Sequence, residues 1–258
     1  MKKGLEIGTV VGLLLGVLAI FGSFMLEGGK MGALFLVPAM LIVFGGTLAT
    51  AMIGSSLGQF VRIWKVAMVA FMPPKEDIGK LIEEIVEIAK AVRRQSLLSM
   101  EKELPKIGNH FLRRLLGFAI DGMDPTSIRS VADAEMNYVT ERHHANAGIF
   151  QKMGGYSPTM GIIGTVMGLI STLANAGGDP NDLIHHIATA FIATLWGVFM
   201  ANIVWLPIAD KLKTIHGEES LSMEVVLEGV LSIQSGEAPA ITKAKLQSML
   251  PASQQEIR

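Results

Sequence analysis

Residues 161–170 read GIIGTVMGLI. The stretch carries no charge, yet it holds three glycines (Gly161, Gly164 and Gly168) and one hydroxyl, Thr165. In water, glycine costs a helix about 0.8–1.0 kcal/mol against alanine. In lipid it has a use, because small residues let two helices approach closely. The stretch therefore reads as part of a membrane helix.

Composition agrees. The 258 residues are 50% hydrophobic and 17% charged, with mean hydropathy +0.45, which is too apolar for an ordinary soluble domain. A net charge of −1 lacks the basic excess of a nucleic-acid binder. No cysteine is present, so disulfides, thiolate metal sites and a cysteine nucleophile are excluded.

Four apolar runs approach the roughly 20 residues a bilayer needs. They are residues 4–26, 34–53, 158–176 and 187–209. The predicted organisation is a transmembrane hairpin (1–57), a helical domain (58–152), a second transmembrane hairpin (153–209) and a helical tail (210–258). Segment 71–152 holds 12 basic and 12 acidic residues, so it is charge-dense but balanced. Lys2, Lys3, Arg62, Lys65, Lys152, Lys211 and Lys213 flank the runs on the side of that segment, and only Lys30 lies opposite. The positive-inside rule then puts both termini and the large loop in the cytoplasm of a multi-pass inner-membrane protein.

The polar segments have helical periodicity. EDIGKLIEEIVEIAKAV places Ile78, Leu81, Ile82, Ile85, Ile88, Ala89 and Val92 on one face. NHFLRRLLGFAIDG reads as a short helix ending at Gly122, and residues 126–147 as a long helix able to continue into the third run. A helix after the fourth run should stop at Gly236, and residues 251–258 are expected to be loose. The fold class is an all-α integral membrane protein.

Within the runs, Gly4, Gly8, Gly12 and Gly16 recur every fourth residue, and Gly164 and Gly168 repeat the motif. Two uses fit: packing within one subunit, or packing against another subunit or partner helix. Pro158 opens the third run and Pro207 closes the fourth; each frees a carbonyl, setting a bend or a hinge. Trp64, Tyr156 and Trp205 fit an interfacial belt, while Trp196 lies deeper and reads as packing.

Inside the four runs no acid, base or histidine occurs apart from Glu6 at an edge. Hydroxyls are present instead: Thr9, Ser23, Thr47, Thr50, Thr165, Ser171, Thr172 and Thr194. If an ion crosses here, another chain supplies the carboxylate, and Thr165 and Thr194 could line the path. The alternative is that each hydroxyl bonds its own helix carbonyl at i−4. The pairs His143-His144 and His185-His186 are adjacent and point about 100° apart on a helix, so neither has metal-ligand spacing. No catalytic constellation can be placed, and no nucleotide motif occurs.

The motifs RRQSLLSMEKEL (93–104), TERHH (140–144), SPTMGIIGTVMGLI (157–170), ATLWG (193–197) and LPIADKL (206–212) follow in that order. In this the chain resembles the A subunit of the bacterial flagellar motor stator, the MotA/PomA family, over essentially its whole length. The resemblance implies five A subunits around two helices of a B-type subunit. The B subunit is single-span, binds peptidoglycan and bears the ion-binding aspartate. The cytoplasmic domain would push on the rotor protein FliG. Arg93, Arg94 and Glu101 match torque-interface charges, and Lys102 stands where some relatives carry an acid. Pro158 and Pro207 match prolines that couple ion flow to movement. Thr165 matches a threonine of sodium-driven relatives, where typical proton-driven ones have alanine. Thr194 matches a threonine of both kinds. Sodium is thus the expected transported ion, with proton the alternative. No cofactor is expected.

Two other readings compete. An ExbB/TolQ-type energising subunit shares the last two spans but has three spans in all. A stand-alone transporter would need its own intramembrane ionisable group.

Overall fold

A computed structural model describes residues 2–3, 5–75, 77–175 and 179–251. Gly4 and the tail beyond Pro251 lie outside the described residues. The architecture is all-helical. Two-residue extended stretches at Lys2–Lys3 and Pro74–Lys75 are the only other regular elements among the described residues. Contacts cluster into two compact units, one built from Lys75–Arg142 and Ile215–Arg258, the other from Lys3–Pro74 and His143–Thr214.

In the first, charged unit, α6 (Ile78–Gln95) starts where Asp77 caps the Lys80 amide, and α7 (His110–Ile120) where Asn109 caps Leu112. α8 (Pro125–Ala174) begins in this unit, with the Asp124 carboxylate accepting from the Thr126 and Ser127 amides at 3.0 Å. Those bonds hold the Asp124 carboxyl below its ordinary value, the Ser127 bonds most strongly. The second half of α10 (Leu206–Gln234) and α11 (Pro239–Ser248) complete the unit. Gly122 and Gly236, with φ of +84° and +74°, stop α7 and α10. The core joins Leu81, Ile82 and Ile85 of α6 to Leu112, Leu115 and Leu116 of α7, with Ile128, Val225, Val226, Val230 and Leu246. The periodic positions read from the sequence thus face inward because they share one helical stripe.

The second, apolar unit holds α1 (Ile7–Leu26), α2 (Val37–Met40), a π-helical turn (Leu41–Gly45), α3 (Gly46–Ile53), α4 (Leu57–Val61) and α5 (Ile63–Phe71). The later part of α8, then α9 (Pro180–Phe199), a second π turn (Met200–Trp205) and the start of α10 close it. Trp196 is a packing residue: its indole donates to the Leu34 carbonyl at 2.8 Å amid Phe21, Phe35, Phe44 and Phe199. Trp205 departs from the belt expected of it. It is buried with Ala51, Ile63, Phe150 and Ile208.

Among the described residues, three helical stretches are long and apolar enough to cross a membrane: Ile7–Leu26, Pro125–Ala174 and Pro180–Gln234. Val37–Ile53 is shorter, because the chain runs through a 3-10 turn at Met31–Leu34 before Pro38 opens the helix. Neither Pro158 nor Pro207 ends a helix. Pro158 lies inside the 50-residue α8, and α10 continues beyond Pro207 to Gln234. The α9 helix starts at Pro180, capped by Asp179, seven residues earlier than the hydropathy boundary at 187. His185 and His186 are therefore helical residues rather than loop residues.

Candidate functional site on the α8–α9 seam

Helices α8 and α9 of the apolar unit lie antiparallel, and glycines fix how closely they approach. A Cβ on Gly168 would sit 3.0 Å from the His186 carbonyl and 2.8 Å from the Ala190 Cβ. One on Gly164 would meet the Ala193 Cβ at 2.5 Å. On Gly161 it would lie 2.9 Å from the Ala193 carbonyl and 3.1 Å from the Thr194 Cα. On Gly197 it would lie 2.6 Å from the Ser157 carbonyl. Backbone opposes the last two positions, so no side-chain rotation relieves the overlap. Gly164 and Gly168 thus pack within the chain.

This contact brings Thr165 and Thr194 together. Their hydroxyls are hydrogen-bonded to each other across the seam. The Thr165 Oγ1 also lies 3.1 Å from the Gly161 carbonyl of its own helix and 3.0 Å from the Ala190 carbonyl of the facing one. Four oxygens therefore converge with only two hydroxyl protons among them. Such a cluster is rich in acceptors, the arrangement a hard cation prefers to an apolar wall. Both threonines are half-buried, so the cluster borders accessible space. Self-bonding at i−4 describes Thr50 (to Gly46, 2.9 Å) and Thr172 (to Gly168, 2.9 Å). It does not exhaust Thr165, whose partners include two atoms of another helix.

Two further hydroxyls depart from the self-bonded pattern. The hydroxyl oxygens of Thr47 and Ser157 are buried, at 1% and 0% residue exposure, and neither has a hydrogen-bond partner among the described residues.

The first-span stripe behaves differently from the α8 glycines. Gly8 and Gly12 have nothing within 4 Å of a built Cβ, whereas Gly16 abuts Ile203 at 3.2 Å. Gly8, Thr9, Gly12 and Pro207 line a groove of about 490 Å³ with Asn202, and the Glu6–Lys211 pair (2.9 Å) lies at it. α1 buries only Phe21. The part of α8 beyond the seam exposes Ile162, Ile163, Val166, Met167, Ile170 and Leu173. Apolar surface on this scale marks contact with lipid or partner helices.

In the charged unit, Arg93 and Arg94 occupy the exposed last turn of α6. Glu101 is exposed on a separate 3-10 turn, Leu97–Lys102, so the three charges do not share one helix face. The break is Ser96, whose φ of +85° and ψ of 157° fall in a region suited to glycine. None of the three charges makes a hydrogen bond or ion pair among the described residues.

The expected packing and ion-path residues include neither Gly197 nor the Ala190 carbonyl, and Gly161 enters the sequence reading only as one of the three glycines of its stretch. Gly161 stands at i−4 from Thr165, and Gly197 closes ATLWG, so spacing offered a signal for both. A backbone carbonyl has no side-chain signature at all.

Comparison with known proteins gives a consistent set of relatives. Residues 10–96 match the Motility protein A N-terminal family, and residues 100–225 match the MotA/TolQ/ExbB proton channel family. Motility protein A of Bacillus subtilis is 34% identical over 245 residues, covering 95% of this chain and 90% of that protein. Chemotaxis protein PomA of Vibrio alginolyticus is 33% identical over 246 residues, covering 95% and 96%. The structure of the flagellar MotAB stator complex from Bacillus subtilis matches with TM-score 0.88 at 34% identity, over 95% of this chain and 96% of that one. The structure of C. jejuni MotAB matches with TM-score 0.92 at 27% identity, over 98% and 99%.

Proposed function

Because the chain belongs to the MotA/PomA family of flagellar motor stator A subunits, we propose that it forms an ion channel with a B-type subunit and couples sodium flow to torque on the rotor. Its family is one of motor-stator ion channels, not of enzymes. The observation that carries the sodium reading is the oxygen cluster of Thr165, Thr194, Gly161 and Ala190. A dehydrated sodium ion needs oxygen ligands, and hydroxyls with nearby carbonyls supply them; a proton needs only a carboxylate. The aspartate of a B-subunit helix would complete the site, which this chain leaves without an acid.

In this reading the apolar stretches make four spans of the inner membrane, with Val37–Ile53 and the residues before it forming the second. Both termini and the charged unit are cytoplasmic, as the distribution of lysine and arginine favours. Five copies surround two B helices, which pack against the exposed apolar side of α8. Arg93, Arg94 and Glu101 touch the rotor's FliG; exposed charges suit a contact that forms and breaks quickly, since each exposed pair is worth about 0.2–1 kcal/mol. Pro158 and Pro207 act as the points of bending within long helices.

A proton-driven version is the second reading, favoured by the family's description as a proton channel. Rotation of a motor carrying this chain and its B subunit, measured as sodium is replaced by potassium at constant proton-motive force, separates the two. Rotation should cease without sodium. Unchanged speed would assign the proton.

A further inference from the structure

In the apolar unit, α1 touches the α9–α10 rod on both sides of Pro207. On the rod, Ile203, Pro207 and Lys211 follow at spacings of four and share one face. On α1, Gly16, Gly12 and Gly8 have the same spacing, with Glu6 at the foot of the helix. Before the proline, the Ile203 side chain lies 3.2 Å from a Cβ built on Gly16. After it, the Lys211 ammonium donates to the Glu6 carboxylate at 2.9 Å. Ile203 to Lys211 spans about 12 Å of helix and Gly16 to Glu6 about 15 Å, so the two helices run antiparallel over one stretch. Between the two contacts their surfaces part. A Cβ on Gly8 or Gly12 would meet nothing within 4 Å, and Pro207 stands in the wall of the groove of about 490 Å³ that opens there.

The rod is weakest at this level. Pro207 has no N–H to give the Ile203 carbonyl, and the π turn at Met200–Trp205 ends two residues before it. Prolines and π turns are where long helices bend. The foot of α1, by contrast, is fastened twice. The Glu6 amide donates to the Phe71 carbonyl at the end of α5 at 2.9 Å, and the Glu6 carboxylate holds Lys211. Each side chain of that pair is 26% exposed, so salt weakens it less than it weakens a surface pair. Asp210, in the same wall of the groove, is engaged by Lys213 at 3.2 Å.

We propose that α1 is a strap across this hinge. The Gly16–Ile203 contact is its fixed end and the Glu6–Lys211 pair its releasable end. The groove at Gly8 and Gly12 is the clearance into which α10 moves when it bends at Pro207. An ion pair suits a catch that opens, because water takes over both charges when they separate. Glu6 and Lys211 are then positioning residues of the motor cycle. They hold no ion; they limit the swing of α10 and return it.

The strap rests on the stator reading, and the test tells their failures apart. The chain has no cysteine, so E6C/K211C supplies the only thiols of the A subunit. The intact stator, assembled with a cysteine-free B subunit, is treated with a bis-methanethiosulfonate that bridges the two positions, and bead rotation is recorded. Bridging should stop rotation and dithiothreitol should restore it; a bridged stator that keeps its unbridged speed would overturn the strap. E6Q and K211M should each lower the plateau speed about two- to fivefold, the shift in a two-state balance that one such pair produces. The half-saturating concentration of the driving ion should stay unchanged. The exchange E6K/K211E should recover most of the speed, and an exchange as slow as the single variants would count against the pair. G12L should slow rotation at wild-type membrane levels, whereas lost assembly would place another chain in the groove and refute the clearance. A wild-type chain that turns no motor with its B subunit would sink the stator reading itself.

Discussion

Thr165 and Thr194 stand 29 residues apart in the chain and share a hydrogen bond between antiparallel helices. With Thr165 replaced by alanine, the cluster loses the oxygen that touches all three others. A cation ligand worth about one to two hydrogen bonds shifts affinity by roughly tenfold. T165A should therefore need about tenfold more sodium for half-maximal rotation speed. The measurement is bead rotation across a sodium series, and a wild-type curve would remove Thr165 from the path.

Glycines with and without neighbours should respond differently to one methyl group. G197A drives a Cβ onto the Ser157 carbonyl, a backbone atom that cannot rotate away. Overpacking of this kind costs about 1–3 kcal/mol. The melting temperature of the purified stator should fall, and less of it should reach the membrane. G8A meets nothing in its own chain, so any assembly defect it causes would report a neighbouring chain seated on α1.

Charge reversal at the exposed positions separates contact from folding. R93E and E101K break no ion pair among the described residues, so the stator should still assemble at wild-type levels. Stall torque should drop, and the drop should weaken at higher ionic strength as screening grows. If assembly fails instead, these side chains serve the fold.

Ser96 holds a conformation that glycine adopts without strain. S96G should stabilise the charged unit by about 1 kcal/mol, visible as a higher melting temperature. Torque measured on the same variant tells whether the angle between the end of α6 and the 3-10 turn also matters to the rotor.

Glu228 gives the charged unit a pH dependence of known sign. Burial works to raise its carboxyl, but the Arg129 bond and the Lys245 bridge at 2.9 Å outweigh it, and the net shift is downward from 4.5. A carboxyl lowered in the fold contributes stability above its unfolded value, and loses that contribution as pH falls through the folded one. E228Q should therefore cost about 1–2 kcal/mol near neutral pH. Its melting temperature should also decline less than that of wild type as pH falls below 4.5. Parallel declines would mean that other groups dominate acid unfolding.

Much of the charged unit is legible in the sequence because its helices carry narrow apolar stripes that only one packing satisfies. Ile82, Ile85 and Ile88 point inward as their spacing requires, and Gly122 and Gly236 end helices by turning left-handed. The Ser96 break is not legible, because serine is no helix breaker and nothing in its side chain announces a positive φ. Along the apolar unit, hydropathy marks where the chain is apolar but not where helices begin and end, since polar helix continues unnoticed past an apolar edge. That is why α9 starts at Pro180 rather than at 187 and α10 runs on past Pro207 to Gln234, whereas the passage of α8 through Pro158 into the third run follows the continuation its sequence allows. Trp205 misleads for a related reason: its depth along the chain resembles an interface, yet its helix turns it into the core beside Phe150 and Ile208.

The π turn at Met200–Trp205 sets a phase as well as a shape. A π turn behaves as a one-residue insertion in an α-helix, and one residue is worth about 100° of rotation. The side chains before it, Thr194 and Gly197, keep the angle the seam demands. Those after it, including Lys211 in its pair with Glu6, are dialled about a residue further round than an unbroken helix would place them. The α9–α10 rod can thus present an oxygen cluster on one bearing and an ion pair on another, and either bearing can be altered by changing the length of six residues rather than the chemistry of any of them.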